Sequence, residues 1–97
     1  MTVTAYTAGV ESCGKWADGY TASGKPVTYN GGRFVAADWT ILPPGTRVRI
    51  PGYADGEWVE VIDRGGAIKG DRLDVFFPDM RDAKAWGRQT LVVGIEK

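Results

Sequence analysis

Over several short stretches of this chain apolar and polar residues alternate with a period of two, the signature of strands with one face in a core and one towards water. Thr2-Val3-Thr4-Ala5-Tyr6-Thr7-Ala8 alternates β-branched and small residues, Arg47-Val48-Arg49-Ile50 alternates charge with apolar, and Trp58-Val59-Glu60-Val61-Ile62 does the same. Leu91-Val92-Val93-Gly94-Ile95 supplies a final strand. Gly or Pro clusters punctuate the spaces between, at Tyr29-Asn30-Gly31-Gly32, Leu42-Pro43-Pro44-Gly45, Ile50-Pro51-Gly52 and Ala54-Asp55-Gly56-Glu57. This spacing predicts an all-β barrel or sandwich. One helix is predicted over 78–86, where Pro78 and Asp79 suit a first turn and Gly87 a stop. Met80, Ala83 and Trp86 share a face of it, which packs the helix against the strands.

A length of 97 residues predicts one domain, residues 1–97, with a single modest core. No internal repeat interrupts it, and the Gly-rich stretch from Ala8 to Gly24 reads as a long irregular loop. Twelve basic residues balance twelve acidic ones, so no long-range field draws the chain to nucleic acid or to an anionic membrane. No apolar run reaches the roughly 18 residues of a membrane helix. No charged and apolar leader precedes Thr2, so the expectation is a soluble chain without an export signal.

Cys13 is the only cysteine and there is no histidine, which excludes an internal disulfide, a His-built zinc site and a His-activated nucleophile. Carboxylates are what remains for chemistry. Asp38 closes the apolar run Phe34-Val35-Ala36-Ala37, Asp63 closes Val59-Glu60-Val61-Ile62, and Asp74 lies inside Arg72-Leu73-Asp74-Val75-Phe76-Phe77. A carboxylate in such surroundings shifts its pKa or finds donors, because burying it bare costs several kcal/mol or more. Acid carboxyls of this kind can cleave sugars.

Asp63 and Asp74 flank a glycine-rich connection, Arg64-Gly65-Gly66-Ala67-Ile68-Lys69-Gly70-Asp71, between two strands, an arrangement that can bring the carboxyls together. Mutual repulsion and apolar neighbours would then raise the pKa of Asp74. Strand alternation puts Asp74 on the face of Arg72 and Phe76, with Leu73, Val75 and Phe77 towards the core. Gly65 and Gly66 allow close approach of a ligand, and Lys69 can orient a sugar hydroxyl or hold Asp63 ionised. The alternative for the same residues is structural: a Gly-Gly turn with Asp63 bonding loop amides.

Taken in order, Phe34-Val35-Ala36-Ala37-Asp38, Ile41-Leu42-Pro43-Pro44-Gly45-Thr46-Arg47-Val48, Val61-Ile62-Asp63-Arg64-Gly65-Gly66-Ala67-Ile68-Lys69-Gly70 and Leu73-Asp74-Val75-Phe76 resemble the 3D domain. That family is named for three aspartates, which fall here on Asp38, Asp63 and Asp74, and it occurs in membrane-bound lytic transglycosylase A and in stationary-phase survival proteins. The resemblance extends to Tyr6-Thr7-Ala8, Thr21-Ala22-Ser23-Gly24 and Ala85-Trp86-Gly87. Arg64 stands where the family usually has Thr, and Pro44 where it has Leu.

The resemblance implies a six-stranded double-psi β-barrel with one short helix and a cleft across one side. It implies non-hydrolytic cleavage of peptidoglycan between N-acetylmuramic acid and N-acetylglucosamine, leaving 1,6-anhydro-muramoyl ends. By the family's pattern Asp74 is the acid/base, Asp63 tunes it or steadies developing positive charge, and Asp38 braces the cleft. Tyr6, Thr21, Ser23 and Lys69 are the candidate sugar contacts, with Gly65 and Gly66 beside them, and Trp16 and Trp39 the candidate stacking platforms. The expected partner is the glycan strand, with no metal, cofactor, nucleic acid or membrane insertion, at an extracellular, wall-associated or phage-encoded location. A homodimer made by segment swapping is compatible with a small barrel. The rival is a non-catalytic wall-binding module of expansin type or a phage structural part. Expansin-type domains usually carry a His-Phe-Asp motif that a chain without histidine lacks.

Overall fold

The computed structural model describes residues 1–7, 21, 23–26, 28–64, 68 and 70–96. Seven strands form one mixed sheet: β1 (Thr2–Tyr6), β2 (Phe34–Ala37), β3 (Arg47–Arg49), β4 (Trp58–Asp63), β5 (Arg72–Phe76), β6 (Gln89–Thr90) and β7 (Gly94–Ile95). Their order is β6-β1-β5-β2-β4-β3-β7. The pairs β1/β5 and β2/β4 are parallel, and the remaining pairs are antiparallel.

Alternation sorts the side chains onto two faces. Val3, Val35, Val48, Val59, Val61, Leu73 and Val75 fill one cluster, joined by Ile50 and Tyr53 from the connections. Tyr6, Phe34, Ala36, Ile62, Ile68 and Phe76 form a second cluster on the opposite face. β2 is the central strand and every residue in it is buried, which is why its sequence is a continuous apolar run rather than an alternating one.

The C-terminal strand predicted over 91–95 is confined to Gly94–Ile95, and a short strand the sequence did not mark, Gln89–Thr90, precedes it. Gln89–Thr90 pairs with β1, Leu91 exchanges hydrogen bonds with Met1, and Gly94–Ile95 pairs with β3 at the other side of the sheet. Val92, at the crossing, is 90% exposed. Seven flat strands would hold their outer members roughly 29 Å apart at about 4.8 Å per step. The stretch from Thr90 to Gly94 reaches at most about 14 Å. The sheet is therefore curled on itself, with this segment strapped across the opening, although no ladder joins β6 to β7 among the described residues. The expected six strands are seven among the described residues, because the C-terminal segment adds one short strand to each edge of the sheet.

Helix α1 (Met80–Trp86) begins at Asp79, whose side chain accepts from the Arg81 amide at 2.8 Å, and stops at Gly87, which takes φ +67°. Trp86 anchors it, donating from Nε1 to the Val3 carbonyl and packing on Tyr53 and Phe77.

Tyr53 stitches the far end of the β2/β5 ladder. Its buried hydroxyl donates to the Phe76 carbonyl at 2.6 Å and accepts from the Phe34 amide at 3.1 Å, and burial pushes its phenol pKa up, so it remains a donor. Tyr53→Phe strands both backbone groups and is expected to cost about 1–3 kcal/mol, lowering Tm by on the order of 10 °C in a thermal melt.

Candidate functional site

A bulge in the β2/β4 pairing shapes the site. Val35 faces Val61, but the next residue, Ala36, faces Asp63 rather than Ile62. Strict alternation would send the Asp63 side chain inward with Val61; the extra residue turns it to the opposite face, beside Tyr6. On its other side Ala36 faces Asp74 of β5. Two carboxylates thus flank one methyl group, with backbones about 10 Å apart, two strand spacings. The two strands that leave their shared loop are not sheet neighbours: β2 lies between β4 and β5, and the two aspartates share a face across it.

Asp63 is fully buried, at 0% exposure. Its Oδ2 accepts from the Tyr6 hydroxyl at 3.1 Å and its Oδ1 from the Arg64 amide at 2.9 Å. Burial and then the nearby Asp63 charge raise the Tyr6 phenol well above its ordinary value, so Tyr6 stays a donor. The Asp63 carbonyl accepts from Trp39 Nε1 at 2.9 Å, and the Arg64 guanidinium lies 4.7 Å over the Trp39 ring. Trp39 therefore holds the rim of the site with both its edge and a face.

Asp74 keeps 14% side-chain exposure. Burial raises its pKa, and the Arg72 guanidinium, 3.6 Å away, opposes that rise. The expected rise is present, with burial as its leading cause rather than repulsion from Asp63. Thr4, in register with Asp74 on the adjacent parallel strand, donates its hydroxyl to Asp74 Oδ1. Leu73 and Val75 point to the first cluster and Phe76 to the second, as alternation requires.

Asp38 sits just past β2 and works at short range and long. Its Oδ1 accepts from the Thr40 amide at 3.0 Å and hydroxyl at 2.7 Å, while Oδ2 accepts from the Gly70 amide at 2.9 Å. The carboxylate thereby ties the end of β2 to the β4–β5 connection and fixes where β5 begins.

Of the expected sugar contacts, Tyr6 is buried and its hydroxyl is committed to Asp63. Thr21 is buried and donates to the Lys25 carbonyl at 2.9 Å, with Ser23 Oγ at 3.2 Å. The exposed Ser23 places its amide 3.2 Å from the Ile62 carbonyl, so this turn borders Asp63. Gly65, Gly66, Lys69 and Trp16 lie outside the described residues. The sequence reading set Arg72 on the face of Asp74 but missed Thr4, which only the parallel β1/β5 pairing brings alongside. Cavities of about 240 and 390 Å³ lie elsewhere, at the far end of β5, where Phe77 and Gly52 line both.

The family model described as the 3D domain matches residues 33–95, a stretch that holds all three aspartates. In Bacillus subtilis, YabE, named for cell wall shaping, is 38% identical over 98% of this chain and 22% of its own. YocH, named a cell wall-binding protein, is 36% identical over 98% of this chain and 31% of its own. The prophage-derived YorM is 33% identical over 96% of this chain and 40% of its own. The chain thus spans well under half of each relative. Among solved structures, MltA from E. coli superposes with a TM-score of 0.58 at 28% identity, covering 80% of this chain and 27% of that one.

Proposed function

The chain belongs to the 3D domain family, and on that premise we propose that it is a peptidoglycan lytic transglycosylase domain with Asp74 as its acid and base. The observation that carries this reading is the Asp74 carboxyl itself: nearly buried, raised in pKa by that burial, and held on the face it shares with Asp63. Likeness to MltA and to relatives named for cell wall shaping and binding supports it. In this reading the curled sheet is a double-psi β-barrel, with the parallel β1/β5 and β2/β4 pairs at its centre.

The reaction needs one carboxyl. Protonated Asp74 gives its proton to the glycosidic oxygen as the bond from the muramoyl C1 breaks, releasing the N-acetylglucosamine hydroxyl. The resulting carboxylate takes the proton of the muramoyl C6 hydroxyl while O6 bonds to C1, which restores the acid and consumes no water. Asp63, fixed by Tyr6 and the Arg64 amide, supplies negative charge towards the oxocarbenium-like transition state. Asp38 holds β5 in register through Gly70.

Digestion of purified sacculi tests the reading: anhydro-muropeptides seen by mass spectrometry are the expected product, and reducing ends would indicate hydrolysis instead. Cleavage should fall as pH rises through the raised Asp74 pKa, where the donating form is lost. The name of YocH favours a second reading, a domain that holds the wall without cutting it. Binding to sacculi with no soluble product would establish that one. Among the described residues no helix is long and apolar enough to cross a membrane, and either reading places the domain at the cell wall or with a phage.

A further inference from the structure

We propose that Thr4 is a positioning residue that, aligned by Arg72, fixes which oxygen of Asp74 carries the catalytic proton. The inference rests on the transglycosylase reading for its chemistry, but its geometry is independent of it. Arg72 Nη2 approaches Thr4 Oγ1 at 3.2 Å, and a guanidinium can only donate, so it occupies a lone pair of that hydroxyl. The single hydroxyl hydrogen must then go elsewhere. The Leu73 carbonyl is 3.5 Å away, at the limit of a hydrogen bond, whereas Asp74 Oδ1 is in direct contact. The order of donation is therefore Arg72 to Thr4 to Asp74 Oδ1.

An oxygen that already accepts this hydrogen is poorly placed to bear one of its own. The proton of the acid form belongs on Oδ2, the oxygen turned from β1. After transfer, the same Thr4 hydrogen stabilises the carboxylate that must next reclaim a proton from the sugar. Strand register makes this arrangement rigid: Thr4 and Asp74 are direct partners across a parallel pair, and Arg72 lies on the same face one alternation earlier. Among the described residues, the other charged or titratable groups facing Asp74 are Tyr6 from β1 and, beyond Ala36, Asp63 from β4; β2 presents only apolar side chains.

The test is Thr4→Val against Thr4→Ser. Valine matches threonine in shape and suits a strand, while serine keeps the hydroxyl. Two readouts apply: the titration of the Asp74 carboxyl carbon by NMR, and the pH profile of anhydro-muropeptide release. Thr4→Val should move the Asp74 midpoint and the alkaline limb of the profile to higher pH and lower the maximal rate about tenfold, and Thr4→Ser should return all three. Should Thr4→Val fail to fold, Thr4→Ala carries the test, with the same upward direction expected. A Thr4→Val protein in which Asp74 titrates as in wild type overturns the inference. A Thr4→Val shift of the Asp74 midpoint, alongside a wild-type protein that releases no anhydro product, leaves Thr4 controlling the carboxyl and removes the enzymatic reading.

Discussion

Asp74→Asn lowers release of anhydro-muropeptides by about 10³-fold or more, since an amide can neither lend nor reclaim a proton. The same change should not weaken the fold at neutral pH. Burial raises the Asp74 pKa from its ordinary 3.8. Between that value and the folded one the native state binds more protons than the unfolded chain, so this group's contribution to stability falls as pH rises through the window. Above it, wild type carries a buried charge that asparagine lacks. Asp74→Asn should therefore melt higher than wild type near pH 7, with the gap closing as pH falls through the folded pKa. Thermal melts across that range, beside the sacculus digest, check both halves. A variant that melts lower at every pH would make Asp74 a structural residue, and one that cleaves normally would exclude it as the acid.

Phe34→Ala should remove a large share of the stability of the domain. Phe34 is fully buried on central strand β2 and stacks on Phe76, with ring centroids 4.5 Å apart and planes at 15°. Tyr6 meets Phe76 edge-on, so the pair forms the floor on which the Tyr6–Asp63 bond rests. Truncating such a ring costs about 3–5 kcal/mol, against a total of roughly 5–15 kcal/mol for a domain of this size. The Tm should drop by about 15–30 °C. A loss under about 1 kcal/mol would show that the face bearing the aspartates is not a true second core.

Alternation was enough to find β1, β3, β4 and the facing of β5, and cap chemistry was enough to find α1 to within two residues. β2 was visible only as an apolar run, because a strand covered on both faces loses the period of two. Strand order was not legible. β1 pairs with β5 and β2 with β4 across long intervening segments, and nothing local marks a parallel partner. The site inherits that gap. Where the three aspartates stand, at the ends of apolar runs or inside them, was legible; that Ala36 separates two of them depends on a bulge that leaves no glycine or proline as a marker. The direction of the Asp74 shift followed from its neighbours in sequence, whereas the roles of Thr4 and Arg72 required the fold.

The strap formed by β6 and β7 has a consequence for solubility. Beyond it, β1 and β3 would each present unpaired backbone donors and acceptors, the template on which chains polymerise. One short tail silences both margins at once, so shortening it after Arg88 would release two adhesive rims together and convert a self-limiting particle into a seed for fibres.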